Sequence, residues 1–107
     1  MPKMPKIKEL SFLVYGLGLT GLSVVKFLKK NKIKNFKVWD DNKKKLLKNY
    51  RANNLTKTLH QVDYIVLAPG ISLNKNIKLQ KFKNKIITDI DLFYLFNPKI
   101  KRKIASI

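Results

Sequence analysis

A glycine-rich turn, G-L-G-L-T-G at residues 16–21, constrains the fold of this chain more than any other feature. It directly follows the apolar run Phe12–Tyr15 and precedes a segment, residues 22–30, whose apolar residues recur at helical spacing. A strand, a glycine turn and a helix in that order are the context in which a G-x-G-x-x-G motif is informative. The glycines permit close approach of the backbone, and the first N–H groups of a helix attract an anion. The pattern therefore predicts a site for a phosphate-bearing ligand.

Beyond this turn, apolar strand patterns alternate with amphipathic helix patterns, which is typical of a parallel sheet made of βαβ units. Strands are predicted at residues 11–15, 36–40, 64–68, 86–87 and 103–107, and helices at residues 20–31, 42–53, 76–83 and 90–96. Thr88 and Asp91 have the spacing of a capping box before the last helix. We therefore expect one α/β domain over residues 1–107, with a Rossmann-like parallel sheet of about five strands and helices on both faces. Because the last strand pattern reaches residue 107, we expect this domain to be part of a longer protein.

The charge of the chain is strongly positive, with a formal net value of +18. Such a charge would fit a nucleic-acid or anionic membrane partner. However, only Arg51 and Arg102 are arginines, whereas direct base recognition relies on arginine. The lysines are spread through every polar segment, as an A/T-rich codon bias would also produce. We interpret the charge as a solvated basic surface and keep a nucleic-acid-binding module as the less favoured alternative.

Residues and motifs that the sequence lacks argue against several kinds of functional site. There is no cysteine, so no disulfide framework or thiolate metal site is expected, and the single His60 is interpreted as a loop residue. No run of about 18 apolar residues and no secretory signal pattern is present, so neither a membrane span nor a secretory signal is expected. The chain has no G-x-x-x-x-G-K-[ST] motif and no nucleophile paired with a base. We predict no catalytic and no metal-binding residue within it.

Asp40 is the second candidate ligand contact. It lies 19 residues after Gly21, at the end of the second strand, where dinucleotide-binding folds place an acid that accepts hydrogen bonds from a ribose hydroxyl or a base edge. Alternatively, Asp40 and Asp41 cap the next helix. We favour ligand contact for Asp40 and leave both interpretations open for Asp41.

The remaining candidates lie near the glycine turn or at the same sheet edge. Thr20 offers a hydroxyl and an N–H group at the helix start, for N-capping, ligand binding or both. The turn at residues 68–71 ends the third strand, and its Gly70 would allow close approach of a ligand, although the residues alone slightly favour an ordinary turn. Other polar and aromatic residues are assigned to packing or structure: Ser23, Tyr15, Trp39, Asp63 and Asp89.

Four blocks of sequence resemble the N-terminal domain of the Mur ligases, and most closely the branch of that family that adds D-glutamate. They are GLGLTGLS at residues 16–23, VWD at 38–40, DYIVLAPGI at 63–71 and DIDLF at 89–93. The blocks have the order and spacing of the family and together span nearly the whole chain. The resemblance implies a domain that holds the UDP end of UDP-N-acetylmuramoyl-L-alanine rather than NAD.

The resemblance also implies roles for individual residues. Backbone N–H groups at Leu19 and Thr20 would bind the diphosphate, next to Gly18. Asp40 would bind the uracil with help from the two residues after it, and Gly70 would lie against the nucleotide. The family often has a hydroxyl residue and then a basic residue after the acid, whereas Asp41 and Asn42 stand here. Thr88 also replaces a usual glycine.

In these ligases, the ATP site, the Mg²⁺ ligands and the D-glutamate site belong to a central and a C-terminal domain. The complete enzyme uses ATP to form an acyl phosphate on the carboxylate of its substrate, and the amine of D-glutamate then attacks to form an amide. The resemblance thus implies peptidoglycan precursor synthesis in a bacterial cytoplasm, with this chain binding substrate but not catalysing. The glycine turn alone leaves a free-standing NAD(H)-binding regulatory module as the alternative.

Overall fold

A computed structural model describes residues 7–97, which contain a parallel sheet of four strands in the order β2-β1-β3-β4. The strands are β1 (Phe12–Tyr15), β2 (Phe36–Trp39), β3 (Tyr64–Leu67) and β4 (Ile86–Ile87). In the register, Val14 of β1 lies opposite Val38 of β2 and Val66 of β3. The predicted α/β class and parallel sheet are confirmed, whereas the predicted fifth strand, residues 103–107, lies outside the described residues.

Helices cover both faces of this sheet, as predicted. They are α1 (Leu19–Lys30), α2 (Leu55–Gln61), α3 (Ile77–Gln80) and α4 (Asp89–Phe96). Because successive strand residues point to opposite faces, Phe12 and Val14 pack in the layer that includes α1 and α4, and Leu13 and Tyr15 pack in the layer that includes α2 and α3. All four residues of β1 are buried, which explains its uninterrupted apolar sequence.

The prediction of a helix at residues 42–53 is wrong. This segment forms turns and a short 3₁₀ helix, Lys48–Tyr50, and Leu47 before it has a left-handed backbone with φ of 53°. The ring of Tyr50 stacks on that of Phe36 at 4.9 Å, and Arg51 forms a parallel bridge with Val38. The segment therefore follows the outer strand β2 instead of forming a helix on its own.

The helix in this region is α2, which the sequence analysis missed. Its N-cap is Asn54, whose side chain accepts the Lys57 N–H at 3.1 Å. Asn54 is a standard N-cap residue, so the sequence did contain a signal for the start of α2. The signal was missed because the preceding helix was predicted to extend to residue 53. His60 lies on α2 and not in a loop, and its ring meets Phe82 edge-on at 4.8 Å.

Smaller differences concern helix bounds. The third predicted helix is shortened to α3, and a 3₁₀ helix, Lys83–Lys85, follows it. The capping box at α4 is confirmed: Thr88 Oγ1 accepts the Asp91 N–H at 3.1 Å, and Asp91 Oδ2 accepts the Thr88 N–H at 3.0 Å. Asp63 has the predicted structural role, because its Oδ2 accepts the Ser11 N–H at 2.7 Å and so joins the segments before β1 and β3. Between residues 7 and 97, no helix has the length and apolar character that crossing a membrane requires.

Candidate nucleotide-binding site

The strand order places a crevice between the loops that follow β1 and β3. The chain leaves β1 through α1 toward β2 on one side, and β3 pairs with β1 on the other side. Open α/β sheets bind ligands at such a switch point, outside the carboxyl ends of the strands. The two loops are in contact, since the Ala68 N–H donates to the Tyr15 carbonyl at 3.1 Å. The turn that includes Gly70 is thereby held next to the glycine turn.

Two of the glycines are required by the fold itself. Gly16 has φ of +99°, and a Cβ on it would lie 2.9 Å from the Ala68 Cβ. A Cβ on Gly21 would collide with the Gly16 carbonyl oxygen. The first and third glycines of the motif therefore permit the tight turn and the close packing of α1 against it.

The other two glycines face open space. A Cβ on Gly18 or on Gly70 would have no atom of the described structure within 4 Å, apart from the chain immediately beside it. Neither glycine has a positive φ. Packing of this chain therefore does not require a glycine at either position, and both leave room at the crevice for another molecule.

The N-terminus of α1 points a set of backbone donors at this edge. The first helical hydrogen bond runs from the Leu22 N–H to the Gly18 carbonyl at 2.9 Å, so the N–H groups of Leu19, Thr20 and Gly21 precede the helical ladder. The N-cap is Gly18, without a side-chain cap, and the interpretation of Thr20 as the N-cap is therefore wrong. The first turn of α1 contains no acidic residue, so no carboxylate of the helix itself offsets the positive end of its dipole.

Asp40, directly after β2, joins two loops of the candidate site. Its Oδ2 accepts the Leu17 N–H at 2.7 Å, and its Oδ1 accepts the N–H groups of Asn42 at 2.8 Å and Lys43 at 2.9 Å. Partial burial acts to raise the pKa of Asp40, but these three N–H donors outweigh it and hold the pKa below its ordinary value. The carboxylate is therefore ionised at neutral pH and has about one of its four lone-pair positions left.

The alternative that Asp40 and Asp41 cap the next helix is wrong, because no helix begins between residues 41 and 47. Asp41 Oδ1 accepts the Trp39 indole N–H at 2.8 Å, and its Oδ2 accepts the Tyr15 hydroxyl at 3.4 Å. Burial raises the pKa of that hydroxyl and outweighs the opposing hydrogen bond from Asn76. Tyr15 and Trp39 thus lie in the strands as predicted, with their polar atoms at the site's edge. Asn42 is exposed beside them.

Two basic residues near the site were missed by the sequence analysis. Lys43 Nζ donates to the Leu17 carbonyl at 3.0 Å. Arg51 Nη1 donates to the Asp40 carbonyl at 3.0 Å, and its guanidinium carbon lies 3.9 Å from the centre of the Trp39 ring. Lys43 follows Asp40 by three residues, but it begins a run of three lysines that composition alone assigns to a solvated surface.

The arrangement provides the chemistry of anion binding. Gly18, Leu19 and Thr20 lie at the end of α1, and the Asp40 carboxylate is bonded to the residue preceding Gly18. Among the residues that the structure describes, no group of three His, Asp or Glu side chains is placed to hold a metal ion.

Ser23, predicted to pack against the sheet, is instead exposed and lines a groove of about 470 Å³ between α1 and α4.

Comparison with known proteins finds relatives of similar sequence. The chain is 47% identical over 51 residues to a UDP-N-acetylmuramoylalanine–D-glutamate ligase of Francisella philomiragia, and 43% identical over 51 residues to the ligase of that name from Francisella tularensis subsp. tularensis. Each match covers 46% of this chain but only 12% of the relative. The chain therefore corresponds to a small part of the relatives that it matches.

A family match extends over more of the chain. The sequence model described as "Mur ligase MurD-like, N-terminal domain" matches residues 10–90. These residues include all four described strands, the glycine turn, Asp40 and the turn at Gly70. The chain therefore belongs to the family of MurD-like N-terminal domains of the Mur ligases.

Proposed function

We propose that this domain binds the UDP end of UDP-N-acetylmuramoyl-L-alanine and serves as the substrate-binding domain of an ATP-dependent ligase that adds D-glutamate. The observation that carries this proposal is the pair of open glycines, Gly18 and Gly70, in loops at the switch-point crevice beside the start of α1. Membership of the MurD-like family, whose named relatives are D-glutamate ligases, supports UDP as the ligand over NAD.

The diphosphate would bind at the start of α1. The N–H groups of Leu19 and Thr20 are available as donors, and the positive end of the helix dipole favours a negative charge there. Gly18 allows the ligand to approach the backbone, because a side chain at that position would extend into the same space. Gly70 would bound the nucleotide from the loop after β3.

The uracil would bind near the end of β2. Uracil presents an N–H donor between two carbonyl acceptors, which suits an ionised carboxylate beside amide donors. Asp40 has about one acceptor position free, and the exposed Asn42 offers a side-chain amide. Asp41 would act mainly by holding Trp39 and Tyr15 in place around that edge.

The chemistry of the ligase would take place on other domains. We assign ATP, Mg²⁺ and D-glutamate to a central and a C-terminal domain, because this chain lacks a G-x-x-x-x-G-K-[ST] phosphate loop. The contribution of this domain would be to bind and orient the substrate for those domains. The enzyme would then act in peptidoglycan precursor synthesis in a bacterial cytoplasm.

The proposal is tested by titrating the ¹⁵N-labelled chain with UDP, ADP and NADH while following amide chemical shifts. ADP bears the same diphosphate as UDP, so it controls for the attraction of any polyanion to a chain of net charge +18. We expect UDP to bind most tightly, with the largest shifts at Gly18, Leu19, Thr20 and Gly70. Tighter binding of NADH at the same amides would contradict the proposal and favour a dinucleotide-binding module. Equal binding of UDP and ADP would show that the uracil is not recognised.

A further inference from the structure

We infer that Lys43 supplies the positive charge of this nucleotide site and binds the diphosphate together with the start of α1. The inference rests on the proposed function and adds a residue to which the glycine motif assigns no role. Its basis is that the Lys43 side chain extends from the loop after β2 to the glycine turn, where Nζ lies 3.0 Å from the Leu17 carbonyl oxygen.

Both the backbone and the side-chain ammonium of Lys43 form hydrogen bonds at the site. Its backbone N–H donates to Asp40 Oδ1 at 2.9 Å, and its ammonium donates to the residue that directly precedes Gly18, the N-cap of α1. Lys43 is exposed, and this hydrogen bond directs its ammonium toward the glycine turn. One hydrogen bond uses one of the three ammonium donors, so two remain for phosphate oxygens.

The site also needs a cation, since Asp40 places a negative charge close to the proposed diphosphate. Asp40 Oδ2 lies 2.7 Å from the Leu17 nitrogen, so this charge is next to the glycine turn. The helix dipole offers only about half an elementary charge in compensation. Neither the glycine turn, residues 16–21, nor the segment 68–72 after β3 contains a lysine or arginine. Two cations of the segment after β2 lie near this charge: Arg51 Nη1 donates to the Asp40 carbonyl, whereas Lys43 donates to the glycine turn itself. Lys43 is therefore the cation placed beside the start of α1.

The test compares charge-removing variants at Lys43 with a matched variant two residues away. Lys43→Met removes the ammonium but keeps an unbranched side chain, and Lys43→Gln keeps a hydrogen-bond donor without the charge. Lys45→Met makes the same change in net charge at a lysine that is exposed like Lys43 but has no hydrogen bond to the glycine turn in the described structure. Affinities for UDP and for uridine, which has no phosphate, are measured by amide shift titration, and thermal unfolding without ligand checks the fold of each variant.

We expect both Lys43 variants to weaken UDP binding by about tenfold, the size of a charge-assisted hydrogen bond, and to leave uridine binding unchanged. Lys45→Met should change UDP affinity by less than about twofold, because no hydrogen bond in the described structure holds the Lys45 ammonium at the glycine turn and solvent screens its charge. Lys43→Arg should retain most of the affinity.

Two results would overturn the inference while leaving the proposed function intact. One is a loss of UDP affinity in Lys43→Met no larger than that in Lys45→Met. The other is an equal loss for UDP and uridine, which would show that Lys43 only shapes the turn. Failure of the unsubstituted chain to prefer UDP over ADP would instead contradict the proposed function itself.

Discussion

Replacing Asp40 tests how much the fold depends on the junction between the glycine turn and the loop after β2. Asp40→Ala removes the acceptor of three backbone N–H groups. The bond to Leu17 is partly buried and should contribute about 1.5 kcal/mol, whereas each of the two exposed bonds should contribute about 0.5 kcal/mol because water replaces the acceptor. We therefore expect the free energy of unfolding to fall by about 2.5 kcal/mol. Asp40→Asn keeps one carbonyl acceptor and should lose roughly half as much.

The loss is measured by urea unfolding, followed by far-ultraviolet circular dichroism and by fluorescence of Trp39, the single tryptophan. A lower midpoint at an unchanged slope would identify a change in stability and not in the compactness of the unfolded state. Glu9→Ala removes the same charge at an exposed position and serves as the control. An Asp40→Ala midpoint equal to that of the control would refute the argument that these hydrogen bonds stabilise the fold.

The pH dependence of stability independently tests the contribution of Asp40. The pKa of Asp40 is lowered in the folded state, because its N–H donors outweigh the effect of burial. Its contribution is therefore fully present above the ordinary pKa of about 3.9 and is lost as pH falls through the lower folded-state value. The stability difference between the unsubstituted chain and Asp40→Asn should be constant above about pH 5 and shrink below about pH 4. A difference that stays constant into strong acid would contradict an ionised Asp40.

Three further substitutions test the turn and a helix cap. Gly21→Ala places a Cβ against the Gly16 carbonyl and should lower the free energy of unfolding by more than about 3 kcal/mol, measured by thermal unfolding. Gly18→Ala has open space at its Cβ, so it should change that free energy by less than about 0.5 kcal/mol. It should nevertheless weaken UDP binding. Equal stability losses in the two variants would mean that the turn does not have the packing described. Thr88→Ala removes the capping box of α4, should cost about 1 kcal/mol and lower the Tm by roughly 4–8 °C, and an unchanged Tm would contradict that role for Thr88.

Local patterns in the sequence were sufficient for most of the architecture. The alternation of apolar runs and amphipathic segments predicted a parallel sheet of about five strands, of which the structure describes four, and helices on both faces. The pleat and the helical period impose these spacings on neighbouring residues. The capping box of α4 was predicted for the same reason, since Thr88 and Asp91 are only three residues apart.

Tertiary contacts decided the segment between β2 and β3. The spacing of Leu46, Leu47 and Tyr50 is compatible with a helix, but Tyr50 stacks on Phe36 and Arg51 pairs with Val38. Contacts with β2 outweigh a helix propensity that is only a few tenths of a kcal/mol per residue. The helix forms after Asn54 instead, where an N-cap side chain is available.

In the candidate site, too, local sequence patterns predicted individual residues, whereas tertiary structure determined which of them meet. Gly18, Asp40 and Gly70 were candidates from sequence, because a glycine turn, an acid after β2 and a turn after β3 are recognisable along the chain. That Asp40 bonds to Leu17, 23 residues away, and that Lys43 reaches the same residue, follows from the strand order. Spacing along the chain does not specify which strands are neighbours or which loop ends meet. Those distances are set only when β2 pairs with β1 and brings the two loops together.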